Sequence, residues 1–238
     1  MQHGVILCNG EFPRKEYPLY LLRTADVIVC CDSRYNVGRL ERLGLEPSLI
    51  VGDMDSTPEE LREKYADRVV DIEEQDDNDL AKAFAVLRER WPEVSEVHIL
   101  GAGGKNEAHL VGNLGWLMEW ERRSLEERGL GLSARGVNVD MVSDFSTAFA
   151  ISPAGFTEQI LRSAQDDKGA PVELHVGEGR KISLFSTDPA LRVVSDGLVW
   201  QTDGVDLSRW WMATLNRASA DVVTLRFNHI APLLVILD

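Results

Sequence analysis

Apolar residues in the first part of the chain come in short runs rich in β-branched side chains: Val5–Cys8, Val27–Cys31, Leu49–Val51, Val69–Ile72, Val97–Leu100 and Val137–Val142. Between these runs the period changes. In Asn78–Trp91, the residues Leu80, Ala83, Phe84 and Leu87 recur at i, i+3, i+4 and i+7 and predict a helix with one buried stripe. Glu107–Arg128 predicts a longer helix. Alternation of strand and helix implies a parallel sheet covered on both faces, and such sheets take their ligands at the carboxyl ends of the strands.

The rhythm changes after about Ser146. Ile182–Phe185, Arg192–Val194, Leu198–Gln201, Val222–Phe227 and Leu233–Leu237 are short strand candidates separated by turn residues, with no long amphipathic helix between them. The polar, aperiodic stretch Gln165–Ala170 reads as a surface loop. The pattern predicts an α/β protein: a Rossmann-like parallel-sheet domain over 1–146, then a small antiparallel β-sandwich over 147–238.

Composition restricts the partners. The 238 residues carry Lys+Arg 25 against Asp+Glu 39, a net charge of −14, with no basic block to offset it. A nucleic-acid backbone is a poor partner for such a field, and a cationic or metal-chelated ligand a better one. Cys8, Cys30 and Cys31 sit inside apolar runs without metal-ligand spacing, as reduced core thiols of a cytoplasmic protein do. No apolar run approaches the ~20 residues of a membrane span, and Met1–Val5 does not begin a secretory leader.

Three stretches carry candidate chemistry. The first is Gly52-Asp53-Met54-Asp55 at the tip of the Leu49–Val51 strand. If the strand continues, Asp53 and Asp55 point the same way and suit a hard cation such as Mg²⁺, which commonly takes one or two carboxylates plus substrate phosphates. The alternative is that both acids only favour the start of the next helix, for which Thr57, Pro58 and Glu60 spell an N-cap, a first-turn proline and a capping-box acid. The second stretch, Glu73–Asp79, opens the next helix, where Asp79 and Lys82 are three apart on one face beside the apolar stripe. They form either a surface ion pair or a metal ligand with a phosphate-binding lysine. The third, Gly101–His109, is glycine-rich but fits neither the P-loop nor the dinucleotide pattern, since Asn106 falls on a required position of each.

Taken in order, these residues resemble the thiamine pyrophosphokinase family, and its bacterial branch most of all. Val5–Pro13 is similar to its first strand and loop, Cys31-Asp32-Ser33-Arg34-Tyr35-Asn36 to its Cys-Asp-Gly-Ala-x-Asn, and Gly52–Ser56 to its Gly-Asp-x-Asp-Ser. Glu74–Phe84 resembles its Asn/Thr-Asp-x-x-Lys-Ala helix start, and Gly104–Asn113 its Gly-Lys-Arg-Glu-Asp-His-x-x-Gly-Asn. Gly197–Trp200, Trp210-Trp211 and Thr214–Asn216 look like its thiamine-side motifs. The departures are Ser33 and Arg34 for the Gly-Ala pair, Asn106 for an arginine and Ala108 for an aspartate.

The resemblance implies a homodimer with shared active sites that transfers a pyrophosphoryl group from ATP to thiamine. In that reading Asp53, Asp55 and Asp79 hold Mg²⁺, and Lys82 completes the catalytic set. Asp32, Asn36, Lys105, His109 and Asn113 serve the nucleotide, while Gln75, Trp200 and Asn216 serve thiamine. Transfer to another small alcohol, such as a hydroxymethylpterin, and binding without turnover are the alternatives.

Overall fold

Every residue of β2 (Val27–Cys31) is buried, because helices cover both faces of the sheet around it. The computed structural model describes residues 2–32, 34–55, 57–129, 137–153 and 171–238. Ser33, Ser56, the Arg34 side chain and the loop expected at Gln165–Ala170 lie outside the described residues. The chain forms two compact units: Met1–Trp116 with Val137–Phe145, and Leu117–Gly136 with Ser146–Asp238.

In the first unit β2 is joined by β1 (Gln2–Leu7), β3 (Leu49–Gly52), β4 (Val69–Asp71), β5 (Val94–Leu100) and β6 (Asn138–Val142). All neighbours are parallel, in the order β6-β5-β1-β2-β3-β4. On one face Val5, Leu7, Ile28, Cys30 and Ile50 pack with Leu21 and Leu22 of α1 (Glu16–Thr24) and with Val37 and Leu40 of α2 (Arg34–Arg42). On the other lies α4 (Asp79–Arg90), which follows the short α3 (Glu59–Lys64). Its buried Leu80, Ala83, Phe84 and Leu87 are the stripe expected from the sequence. The Phe84 ring meets Trp116 of α5 (Glu107–Gly129) edge-on, with ring centroids 4.9 Å apart. Each such large apolar side chain contributes roughly 1.5–3 kcal/mol when fully buried.

The second unit holds two antiparallel sheets, as the sequence pattern predicts. One has β7 (Thr147–Ile151), β9 (Lys181–Phe185), β13 (Leu233–Leu237) and β11 (Asn216–Arg217), the other β8 (Val172–His175), β10 (Val193–Asp196) and β12 (Val222–Phe227). Ile182, Leu184 and Val235 of the first and Val193, Leu225 and Phe227 of the second share one core. Leu198–Gln201 is not a strand. Only an isolated bridge joins Leu198 to Ala218, and Gly197, at φ 85°, turns the chain just before it. Trp210 and Trp211 lie in a turn and differ in exposure. Trp210 packs on Phe185 and donates from Nε1 to the Ser186 carbonyl at 2.9 Å, while Trp211 is 73% exposed.

At the β6 end of the parallel strands, His98 of β5 stands in register with Asp140 of β6, and Nδ1 lies 2.7 Å from Oδ1. Burial opposes a charge on His98, but the hydrogen bond and charge of Asp140, with Glu96, leave its pKa above the ordinary value. A raised folded pKa stabilises the fold fully below the unfolded value and is lost as pH rises through the folded one. Asp140→Asn should therefore cost about 1–2 kcal/mol near pH 5.5 and clearly less near pH 9, read by urea unfolding at each pH. Equal losses at both would uncouple the pair from protonation.

Candidate functional site

The strand order reverses between β1 and β5: β1, β2, β3 and β4 run outward one way, β5 and β6 the other. At such a switch point a crevice opens beyond the carboxyl ends of the strands. Here the loops after β1 and β5 lie against each other, with Gly10 N donating to Gly101 O and Glu11 N to Gly103 O, both at 2.7 Å. A Cβ on Gly10 would stand 2.2 Å from Gly101 O, so only glycine permits this approach. Above the loops is a cavity of about 430 Å³, which the starts of α4 and α5 also wall.

The acids reach it from two elements. After β3 the chain passes Gly52, where a Cβ would stand 2.5 Å from the Asp32 Cβ, and then Met54, at φ 59°. That left-handed conformation costs a non-glycine residue about 1–2 kcal/mol. The Met54 side chain is 1% exposed in the sheet's core, and its carbonyl accepts from Thr57 N at 3.3 Å and from the Arg62 guanidinium. Strand alternation therefore stops at Gly52. Asp53 faces the cavity, whereas Asp55 is exposed and not among the cavity's walls. The expectation that the two carboxylates project together is corrected by this turn.

Asp53 accepts from Asp55 N and from Gln75 Nε2, each at 3.3 Å. These bonds hold its carboxyl below the ordinary carboxylate range. Asp79, in the first turn of α4, goes the other way: burial and the charge of Asp53 raise its pKa, against a smaller opposing pull from Lys82. Among the described residues no three Asp, Glu, His or Cys side chains converge as a metal's ligands. The expected triad of Asp53, Asp55 and Asp79 is thus not assembled; the acids on the cavity's walls are Asp53, Asp77 and Asp79, without Asp55. Two hard carboxylates, one of them penalised by the other's charge, fit Mg²⁺ bound jointly with substrate phosphates.

The cations differ from the surface pair considered above. Lys82 is 5% exposed and donates from Nζ to the Ile72 carbonyl at 3.2 Å, so it is a buried amine at the cavity wall. Lys105 donates to the Asn9 carbonyl at 2.8 Å and lies 5.5 Å from the Tyr35 ring centroid. Partial burial, with Arg39 nearby, lowers its pKa. His109 lines the same cavity from the first turn of α5.

Of the other expected nucleotide residues, Asn113 is on the cavity's walls and Asp32 and Asn36 are not. Asp32, 3% exposed, accepts from the Thr57 hydroxyl, and Asn36, fully buried, donates to the Cys8 carbonyl. Thr57 is therefore not the N-cap of α3; the Pro58 carbonyl accepts from Leu61 N and Arg62 N at 3.0 and 3.1 Å. Asn113 donates to Ala102 O at 2.9 Å and accepts from Asn78, which caps α4 through Ala81 N. Trp200 and Asn216 belong to the second unit. The buried Asn216 amide is bonded to both the N–H and the carbonyl of Trp200, whose residue is 62% exposed.

Sequence reasoning missed Cys8, Cys31 and Asn9 as cavity residues, although all three close strand runs at the ligand-binding edge. It also missed Asn106, whose side-chain oxygen accepts from Ala108 N at 2.9 Å and His109 N at 3.3 Å and so caps α5. An asparagine just before a helical pattern is the signal that gives such a cap.

The resemblance read from the motifs agrees with known proteins. Residues 19–127 match the family model described as thiamin pyrophosphokinase, catalytic domain. The fold is similar to that of thiamine pyrophosphokinase from Bacillus subtilis, at 15% identity and a TM-score of 0.69, covering 100% of this chain and 99% of that one. A thiamin pyrophosphokinase family protein from Enterococcus faecalis gives 18% and 0.68, covering 100% and 99%. Yeast thiamin pyrophosphokinase gives 14% and 0.68, covering 100% and 86%. No curated protein matches the sequence. At these identities the solved structures establish the fold alone, an α/β architecture with a separate antiparallel sheet.

The Thr57 hydroxyl joins the loop after β3 to the buried Asp32. Thr57→Val keeps the shape and removes the donor, which should destabilise the protein by about 1–3 kcal/mol in urea unfolding. A change under about 0.3 kcal/mol would show that Asp32 does not depend on it.

Proposed function

We propose that the chain transfers a pyrophosphoryl group from ATP to the hydroxyethyl oxygen of thiamine, giving thiamine diphosphate and AMP. The observation that carries this reading is one cavity at a switch point with the carboxylates of Asp53, Asp77 and Asp79 and two amines, Lys82 and Lys105, on its walls. Polyphosphate needs both signs: amines for its own charge and carboxylates for the cation it brings. The match of residues 19–127 to the family model supports thiamine as the acceptor.

In this mechanism the thiamine hydroxyl oxygen attacks the β-phosphorus and gives up its proton, to a cavity carboxylate or to water, as the bond from the β-phosphorus to the bridging oxygen breaks and AMP leaves with that oxygen. Transfer of this kind depends on positioning and charge neutralisation more than on covalent catalysis. Asp53 and Asp79 would hold Mg²⁺, which when bound offsets charge on the phosphate oxygens. Lys82 is held in place by Ile72 and meets phosphate with little loss of side-chain freedom. Lys105 exchanges its bond to Asn9 for a phosphate oxygen. Gln75 keeps Asp53 oriented. The exposed Trp200 indole suits the cationic thiazolium ring by cation–π attraction, in a homodimer where the partner subunit's β unit approaches the nucleotide.

The test is incubation with ATP, Mg²⁺ and thiamine, followed by assay of thiamine diphosphate and AMP. Formation of both supports the proposal. AMP formed only with a hydroxymethylpterin, or thiamine bound without turnover, would replace it with the corresponding alternative.

Two variants refine the roles. Asp53→Asn should lower turnover by at least about 10²-fold with little change in melting, since the side chain lies at a strand end outside the core. Near wild-type activity would remove Asp53 from the mechanism. Lys82→Met keeps the buried stem and deletes the charge, so ATP use should fall by a similar factor while stability is held or raised. Unchanged ATP kinetics would make Lys82 structural.

A further inference from the structure

The two amines on the cavity's walls differ in access. Lys82 is enclosed in the buried face of α4 and donates to the Ile72 carbonyl. Lys105 is exposed, and its Nζ donates to the Asn9 carbonyl at 2.8 Å, with Asn9 Oδ1 farther off at 3.5 Å. The loop that carries Lys105 is pinned. Glu11 N donates to Gly103 O at 2.7 Å, and at Gly104, with φ 87°, a Cβ would stand 2.7 Å from the Glu11 Cβ. The amine therefore reaches the wall from a fixed base.

Its surroundings also differ from those of the other described lysines. Lys64 Nζ lies 2.7 Å from Glu41 Oε1, and that bond raises its pKa. Lys15 Nζ lies over the Phe145 ring, and Lys181 is exposed at the start of β9. Among the described residues no carboxylate pairs with Lys105, and partial burial with Arg39 nearby lowers its pKa. Desolvation and a cationic neighbour both favour the neutral, nucleophilic form of an amine. A nucleophilic amine at the wall of a cavity suited to phosphate is placed to meet one class of electrophile, a carbonyl that carries phosphate as its leaving group.

We infer that Lys105 is a site of acylation by acyl phosphates, whose phosphate enters the cavity and brings the acyl carbon to Nζ. The nitrogen attacks the carbonyl carbon and forms the amide bond. The bond from that carbon to the oxygen it shares with phosphorus breaks, and inorganic phosphate leaves with the electron pair. The nitrogen gives up one proton to the departing phosphate. The amide keeps one N–H, enough to maintain the bond to the Asn9 carbonyl, but the positive charge is gone. An acylated chain thus has one charged amine fewer on the cavity wall, where Lys82 is the lysine that remains. The inference rests on the reading above only in that the cavity admits phosphate, and it does not require thiamine as the acceptor.

Acetyl phosphate is the probe. The full-length chain is incubated with a limiting amount, and acetylation at each lysine is followed by peptide mass spectrometry. Because a docked phosphate holds the acyl carbon near Nζ, acetylation of Lys105 should outpace that of Lys181 by at least about tenfold. Inorganic pyrophosphate, which competes for the cavity, should remove most of that lead and leave Lys181 unchanged. Acetic anhydride carries no phosphate, so with it the lead of Lys105 should shrink. Equal rates at Lys105 and Lys181, a lead that pyrophosphate leaves intact, or an equal lead with acetic anhydride would overturn the inference. None of these measurements uses thiamine. A chain that makes thiamine diphosphate but shows no lead at Lys105 sinks this inference alone. A chain with the lead but no thiamine diphosphate sinks the earlier reading alone.

Discussion

The turn after β3 is the constraint on which the site depends. Gly52 lets the chain pass within van der Waals reach of Asp32, and Met54 then takes a left-handed conformation that its own side chain would normally disfavour. Burial of that side chain is worth roughly 1.5–3 kcal/mol, enough to offset the backbone cost of about 1–2. Thr57 on Asp32 and Arg62 on the Met54 and Thr57 carbonyls fix what remains. The outcome is a carboxylate, Asp53, aimed by packing on the far side of the sheet, with a neighbour, Asp55, sent outward. Site geometry here follows from core energetics and not from local acid–acid preference.

Electrostatics follows from that placement. Asp53 sits where two donors favour its charge, and that charge raises the pKa of Asp79 across the cavity. Left alone, such a pair is under tension that a cation relieves. Lys82 supplies part of the relief from inside the protein, acting on both acids. A lysine that is 5% exposed is a costly thing to keep in a core, and Lys82 stands where that core meets the cavity.

Much of the fold was legible in the sequence, and the reasons are periodic ones. Runs such as Val27–Cys31 have no polar alternation because both faces are covered, and the 3.6-residue stripe of α4 emerged intact. What failed were features fixed by single backbone torsions or by distant partners. Leu198–Gln201 has strand composition, yet Gly197 and the Asn216 amide hold it as a loop. Thr57 has the form of a cap, but its hydroxyl is taken by Asp32, 25 residues earlier in the chain. Asp55 was read with Asp53 because a period of two was extended one step past the strand's end. The motif order pointed to the cavity's neighbourhood; it could not say which residues line it, as Asn113 does, and which, like Asp32 and Asn36, bond to neighbouring loops outside its walls.

The departures from the family pattern can now be weighed by what they touch. Asn106 stands where the family has an arginine, and it does more than lack a charge. Its side-chain oxygen takes the N–H groups of Ala108 and His109, donors that at an uncapped helix start would be available to an anion. Both the guanidinium and these backbone donors are thereby withdrawn from the cavity at the start of α5. The lysines on the cavity's walls are Lys82 and Lys105, one anchored by Ile72 and the other by Asn9. Ala108 works in the opposite direction, since an aspartate in its place would add negative charge at the same helix start. The two departures remove one charge of each sign, which leaves the net charge of that region as it would be with the family's Arg and Asp.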